Sequence, residues 1–99
     1  MTPDTRAKKV DGNQKTIVKA LRQVGAIVLD LHRVGGSCPD LLVLFQGKLI
    51  LLEVKNPEGF NRLSDGQMKF IEKWQGTTFI VRSIEDALRA IGLGLVTSV

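Results

Sequence analysis

The pattern of apolar and polar residues divides the chain into segments of helix length and strand length. Apolar residues recur every three or four positions through residues 12–24, which predicts a helix that Gly25 ends. Residues 26–32 alternate, and two apolar runs, 41–45 and 49–52, flank the pair Gln46-Gly47. Alternation predicts a strand, and two apolar runs around a two-residue turn predict a β-hairpin.

The second half of the chain continues with a helix, a strand and a helix. Ser64 and Gln67 have the spacing of a capping box and open a predicted helix over residues 64–75. A strand over 77–81 and a helix over 84–91 follow. The element order is αβββαβα, an α/β fold with a mixed central sheet flanked by helices. We expect one domain over residues 1–99, with 1–10 as a flexible arm.

The hairpin turn fixes which residues face each other across the two strands. A two-residue loop pairs Phe45 with Lys48, and continuing the register places Asp40 opposite Glu53. Lys55 lies on the same face as both carboxylates, because side chains alternate with period two. Both faces of the hairpin are apolar, so we expect it to be central in the sheet and covered on both sides.

Two carboxylates at the open end of this hairpin need a physical explanation. At about 5 Å between Cβ atoms, Asp40 and Glu53 repel each other unless they share a cation. Mg²⁺ is often held by one or two carboxylates together with phosphate and water. Lys55 could then orient a water molecule or stabilise negative charge that develops on phosphate. The alternative is that these charged residues only mark where the strands end at solvent.

The same residues resemble a known nuclease signature. Pro39-Asp40, twelve residues and then Glu53-Val54-Lys55 resemble the PD-(D/E)xK motif. With the Gly35-Gly36 lead and the downstream glutamine helix, the chain from about residue 13 to about residue 92 resembles the small stand-alone virus-type replication-repair nuclease (VRR-NUC) domains common in phages. The resemblance implies a restriction-endonuclease-like core, in agreement with the predicted element order.

The resemblance also implies a chemistry. Asp40 and Glu53 would be metal ligands, the backbone carbonyl of Val54 would complete the first shell, and Lys55 would be the catalytic lysine. Gln67 matches a glutamine that recurs at the active site of the family, although it could instead bond only to its helix cap. The implied activity is Mg²⁺- or Mn²⁺-dependent endonucleolytic hydrolysis of DNA. The implied substrates are branched, flapped or four-way DNA, cut by a homodimer without a small-molecule cofactor.

Two further polar residues are candidates for supporting roles. Many nucleases of this superfamily carry a metal-binding glutamate on the first helix, but this chain has no glutamate before Glu53. Gln14 stands near that place and could hold a metal-bound water, or it could be an ordinary polar residue of a first turn. His32 could carry a proton or contact phosphate, or it could be a strand-end histidine that hydrogen bonds satisfy.

Charge and composition agree with a nucleic-acid partner. The formal net charge is +4 and the isoelectric point about 9.6, which suits a polyanion. We expect Arg33, Arg62 and Lys69 to contact DNA phosphates. Cys38 has no partner at zinc spacing and is expected to be a small space-filling residue.

The composition also predicts where the protein resides. No apolar run approaches the length of a membrane span, and 43% hydrophobic content excludes wholesale disorder. The first nine residues lack the apolar region of a secretory signal, and a single cysteine cannot form an internal disulfide. We therefore expect a soluble protein of the cytoplasm, which would be the host cytoplasm if a phage encodes it.

Overall fold

The computed structural model describes residues 12–57 and 63–93, and within them it confirms the predicted αβββαβα order. Arg62 and the predicted arm over residues 1–10 lie outside the described residues. The seven elements are α1 (Gly12–Gln23), β1 (Ile27–Asp30), β2 (Leu41–Phe45), β3 (Lys48–Val54), α2 (Asp65–Trp74), β4 (Thr77–Val81) and α3 (Ile84–Ala90). The first helix is one residue shorter than predicted, and the first strand is shorter at both ends. None of these helices has the length and apolar character needed to cross a membrane.

The four strands form one mixed sheet in chain order. β1, β2 and β3 pair antiparallel, and β4 lies parallel to β3 after the crossover through α2. The predicted hairpin register is confirmed, with Phe45 opposite Lys48 and Leu41 opposite Leu52. The turn residues Gln46 and Gly47 have φ angles of 52° and 80°. Two positive φ angles give a turn whose twist matches that of the flanking strands.

One face of the sheet carries the hydrophobic core. The inward residues of β2 and β3 on this face meet the apolar stripes of α1 and α3. Packing two helices over four strands removes this face from water and supplies most of the burial that stabilises the fold. The buried core residues include Ile17, Leu21, Val28, Leu41, Val43, Ile50, Leu52, Val81, Ala87 and Ile91.

The opposite face is covered over only half of its width. Gln67 of α2 contacts Glu53, and Leu51 on this face is buried. In contrast, Leu29 of β1 and Leu44 of β2 remain exposed. A helix about 10 Å wide spans about two strands spaced 4.8 Å apart, and α2 is the only described helix on this face. The expectation that the hairpin is covered on both sides is therefore wrong for this half of the sheet.

The apolar stripe of α2 also differs from the prediction. Phe70, Ile71 and Trp74 are partly buried, but the side chain of Met68 is half exposed. No residue of this helix is fully buried. Because α2 lies over one half of an open face, water reaches its flank, and only the side chains directed at the sheet are protected.

The core packing predicts a contrast between two leucines. Leu52→Ala should lower the free energy of unfolding by about 2–5 kcal/mol, because Leu52 is fully buried and its truncation leaves a cavity. Leu93→Ala should lower it by less than about 1 kcal/mol, because Leu93 is 42% exposed. Urea unfolding measures both values. Equal losses for the two variants would contradict the described core.

Candidate active site

Asp40 immediately precedes β2, and its side chain adds one hydrogen bond to the backbone pairing of β3. The backbone N–H of Leu31 donates to the Asp40 carbonyl at 2.7 Å, and the N–H of Val54 donates to Oδ2 of Asp40 at 2.8 Å. The Asp40 carboxylate thus takes the place of a backbone carbonyl of β2 as the acceptor for the Val54 N–H. In an extended strand the N–H and C=O of one residue point to the same side. The Val54 carbonyl is therefore directed toward the side of β3 on which Asp40 lies.

Glu53 is a nearly buried carboxylate with two donors on one oxygen. Its side chain is 8% exposed, and Oε2 receives Nζ of Lys55 at 3.1 Å and Nε2 of Gln67 at 2.9 Å. Lys55 reaches it because residues two apart on a strand share a face. A buried carboxylate without such partners would be strongly destabilising. The structure therefore holds Glu53 and Lys55 as a shielded ion pair beside Asp40.

Gln67 contacts both the helix cap and the site. Its backbone N–H donates to Oγ of Ser64 at 3.1 Å, and its side-chain Oε1 accepts from the Ser64 N–H at 3.0 Å. With Oε1 committed to the cap, the amide nitrogen must point to Glu53. The two roles considered from sequence are thus compatible, since one amide makes both contacts.

The loop before Asp40 packs against the beginning of α2. Gly35, Gly36 and Ser37 all have positive φ angles, which glycine adopts without steric cost. Ser37 lies against Gly66, and a side chain at Gly66 would collide with the Ser37 hydroxyl. Close approach at Gly66 therefore places the loop that carries Asp40 beside the helix that carries Gln67.

The pKa of the Cys38 thiol reflects the negative charge of this region. Burial raises the pKa of its thiol above 9.0, and the negative charges of Asp40 and Glu53 raise it further. A negative charge nearby disfavours the thiolate, and Cys38 comes two residues before Asp40 in the same loop. The charges of the two acids thus act on Cys38. The expectation that Cys38 is a small space-filling residue did not include this electrostatic interaction.

Asn13 is a positioning residue that no motif of the sequence indicates. Its Nδ2 donates to the carbonyl of Lys55 at 3.0 Å and to the carbonyl of Arg82 at 3.2 Å. The side chain thereby joins the first turn of α1 to the ends of β3 and β4. These contacts span 42 and 69 residues of sequence, so no local pattern could have revealed them.

Gln14 and His32 both contact Asp30. Gln14 is buried and donates through Nε2 to Oδ2 of Asp30 at 3.3 Å. Nδ1 of His32 lies 2.6 Å from Oδ1 of Asp30, and the His32 backbone N–H donates to the same oxygen. Burial acts to raise the pKa of Asp30, but these contacts with His32 outweigh it and hold that pKa below 3.8. The structure thus places His32 in a hydrogen-bonded pair at the end of β1.

The residues expected to contact DNA are only partly described. Arg33 is exposed in the loop after β1, and Lys69 is exposed on α2. An open groove of about 620 Å³ lies between α2 and the Gly36-Ser37 loop, and its lining on α2 is Lys69, Phe70, Glu72 and Lys73. The two lysines outnumber the one acid, so the groove carries a net positive charge that suits a phosphate backbone.

The donors at the hairpin end are suited to a hard divalent cation. Among residues 12–57 and 63–93, no group of three or more His, Cys, Asp or Glu side chains could hold a metal ion. Asp40, Glu53 and the Val54 carbonyl nevertheless offer oxygen donors from two carboxylates and one peptide group. Mg²⁺ commonly uses one or two carboxylates and completes its shell with water and substrate phosphate. The residues present therefore fit such an ion.

The reactivity of Cys38 tests the arrangement of the two acids. Alkylation requires the thiolate, so its rate should rise with pH around a midpoint above 9.0. Glu53→Gln removes one of the charges that raise this pKa, so alkylation at a fixed alkaline pH should become faster. Iodoacetamide labelling followed by mass spectrometry measures the rate. Glu85→Gln, on the exposed surface of α3, should leave the rate unchanged. An unchanged rate in Glu53→Gln would contradict the described proximity.

Comparison with solved structures finds a relative of this fold. A scan of protein-family models gives no match, and a search of curated proteins gives none. A solved structure described as "VRR_NUC domain" superposes on the chain with a TM-score of 0.59 at 28% sequence identity. The match covers 79% of this chain and 88% of that chain. The chain therefore has the fold of a VRR_NUC domain, as the resemblance of its sequence implies.

Proposed function

We propose that this protein is a Mg²⁺- or Mn²⁺-dependent endonuclease that hydrolyses DNA phosphodiester bonds. One observation carries the proposal: Lys55 and Gln67 converge on one oxygen of the buried Glu53 beside Asp40, within the fold of a VRR_NUC domain. A shielded acid and lysine beside a second acid is an arrangement typical of a functional site rather than of a strand end at solvent.

Asp40, Glu53 and the Val54 carbonyl would hold the divalent ion. When bound, the ion supplies charge neutralisation at phosphate and activation of water. Lys55 and Gln67 both donate to Oε2 of Glu53. These two fixed donors set the orientation of the carboxylate and so the direction of its other oxygen, Oε1. Asp40 is oriented by the Val54 N–H. The chain therefore fixes both carboxylates before substrate arrives, which limits the reorganisation that binding would require.

Lys55 and Gln67 have different tasks in this proposal. The Lys55 ammonium, whose side chain is only 19% exposed, would stabilise negative charge as it develops on the phosphate or orient the attacking water. Gln67 would act as a positioning residue that keeps Glu53 in place through its amide. Gln14 and His32 would have supporting roles through their contacts with Asp30, at the end of the neighbouring strand.

DNA would reach the site along the basic residues that surround it. Arg33, Arg62 and Lys69 would contact phosphates, and the groove beside Lys69 and Lys73 would take the backbone. The substrate would be branched or flapped DNA, including a four-way junction, cut by a homodimer. The net charge of +4 supports a polyanionic substrate.

A second function is a DNA-binding module that keeps the fold but cleaves poorly. It is favoured by the first helix, where the chain has Gln14 and no glutamate. With fewer carboxylate ligands, metal affinity would fall. This alternative requires DNA binding that weakens steeply with salt and is indifferent to Mg²⁺ and to Asp40.

Cleavage of labelled duplex, single-stranded, flap and four-way-junction DNA distinguishes the two functions. With Mg²⁺ or Mn²⁺, we expect cutting of at least one branched substrate. Asp40→Asn and Lys55→Ala should each reduce the rate by about 10²-fold or more, because each removes a metal ligand or the group that stabilises charge. Lys19→Ala, on the exposed surface of α1, should cut at close to the native rate.

DNA affinity, measured by fluorescence anisotropy without divalent metal, completes the experiment. Asp40→Asn and Lys55→Ala should bind DNA within about threefold of the native protein if their loss is catalytic. Absence of cutting on all four substrates, with salt-sensitive binding equal in native and variant proteins, would favour the binding module instead.

A further inference from the structure

Three of the four strands end at the edge of the sheet that carries the proposed active site. β1, β3 and β4 run in one direction, and β2 runs opposite to them. Lys55 follows the last residue of β3, and Arg82 follows the last residue of β4. Ligands of open α/β sheets commonly bind at the carboxyl ends of such strands. Arg82 therefore lies at the same edge as Lys55, one strand away from it.

Backbone contacts hold Arg82 beside the site. The Lys55 N–H donates to the Val81 carbonyl at 2.9 Å, which continues the pairing of β3 with β4 past the ends of both strands. Nδ2 of Asn13 donates to the carbonyls of Lys55 and Arg82. Neighbouring strands are about 4.8 Å apart. In the strand order β1-β2-β3-β4, Arg82 thus lies on one side of Lys55 and Asp40 lies on the other.

A pocket of about 250 Å³ lies between the end of β4 and α3. Residues 79–82 line it from the strand, and Asp86, Arg89 and Ala90 line it from the helix. We call it the Arg82–Arg89 pocket. Two arginines and one aspartate give its lining a net positive charge. The proposed function uses neither arginine.

The protein leaves much of the hydrogen-bonding capacity of these arginines unused. Within the described part of the chain, Nε of Arg82 is buried without a hydrogen-bond partner, and no ion pair includes Arg82. Arg89 is 59% exposed and donates to Oδ1 of Asp86 at 3.3 Å, while Oδ2 of Asp86 accepts the Arg82 backbone N–H. A guanidinium carries five N–H donors. An unsatisfied buried donor of this kind is often explained by an ion that is missing from the structure.

The chemistry of the pocket selects its ligand. Guanidinium groups recognise phosphate through paired, charge-assisted hydrogen bonds. A nucleic-acid strand carries a phosphate at every nucleotide, so a strand with one phosphate at Lys55 presents its neighbouring phosphates along the same edge of the sheet. The pocket beside Lys55 therefore matches a phosphate of a strand that already occupies the site.

We propose that the Arg82–Arg89 pocket binds an internal phosphodiester of the DNA strand, on the β4 side of the proposed active site. This inference rests on the proposed function, because it takes DNA as the ligand. Arg33, in the loop after β1, would hold the same strand on the other side of the site. The strand would thus be held on both sides of the phosphate that is cut, which fixes its position relative to Lys55.

The salt dependence of DNA affinity tests the pocket. Fluorescein-labelled flap and four-way-junction DNA, both with 5′-hydroxyl ends, are titrated with the full chain between about 50 and 200 mM salt without divalent metal. Arg82→Met should weaken binding by about tenfold and reduce the slope of log K against log salt by about 1, because one phosphate contact is lost. Arg82→Lys keeps the positive charge and should keep the native slope.

Two further variants separate electrostatics from damage to the fold. Arg22→Met removes an equal charge from the last turn of α1, at the opposite end of that helix from Asn13, and should keep the native slope. Asp86→Asn removes the only carboxylate that lines the pocket but keeps an oxygen for the Arg82 N–H. It should tighten DNA binding by about threefold, which a damaged fold would not do.

Far-UV circular dichroism and thermal unfolding verify that each variant folds. If Arg82→Met does not fold, Arg89→Met takes its place, because the Arg89 side chain is largely exposed. Arg89→Met should weaken binding and lower the salt slope in the same direction as Arg82→Met.

Several results would overturn the proposal. They are a native chain that binds neither DNA at about 50 mM salt, a native slope in both Arg82→Met and Arg89→Met, or an equal loss of slope in Arg22→Met. A loss of affinity that appears only with 5′-phosphorylated DNA would assign the pocket to a terminal phosphate and reject an internal phosphodiester.

These outcomes are separate from failure of the proposed nuclease. A native chain that cuts no DNA but loses salt slope through Arg82 would retain the pocket and reject the activity. A chain that cuts DNA while both arginine variants keep the native slope would retain the activity and reject the pocket.

Discussion

The burial of the Glu53 carboxylate constrains more of this structure than any other contact. A charge removed from water must be paired and hydrogen bonded, and both partners of Glu53 come from defined places. Lys55 follows on the same strand, and Gln67 comes from α2. The capping box fixes the start of α2 with the Gln67 amide directed at Glu53. The helix cap, the crossover from β3 to β4 and the position of α2 therefore depend on one another.

Fixing α2 above β3 also decides what the rest of that face looks like. One helix covers about half of a four-stranded sheet, so β1 and β2 keep their outer side chains in water. The hidden half carries the polar site, and the exposed half carries aliphatic side chains such as Leu29 and Leu44. A polar centre and exposed aliphatic side chains therefore share one side of the sheet, while the opposite side is occupied by the core under α1 and α3.

Side chains complete the strands around the site where backbone pairing ends. Asp40 accepts the Val54 N–H just before β2 begins, and Asn13 donates to the carbonyl of Lys55 on the other side of β3. Both contacts satisfy peptide groups that the sheet leaves unpaired. They also hold the backbone around residues 53–55 from two directions, which is the rigidity that a preorganised site requires. The side chains of Asp40 and Asn13 thus satisfy backbone groups and also position residues of the proposed site.

The amino-acid sequence by itself determined the element order, the hairpin register and the common face of Glu53 and Lys55. These depend on local periodicity and on a two-residue turn, which act over a few residues. The tertiary structure alone decided that Gln67 meets Glu53 while it caps its helix, and that Asn13 reaches Lys55. It also decided that half of one sheet face stays open, although alternating apolar residues on both faces predicted full cover. Periodicity specifies which side chains share a face, but whether a helix covers that face depends on where distant segments pack.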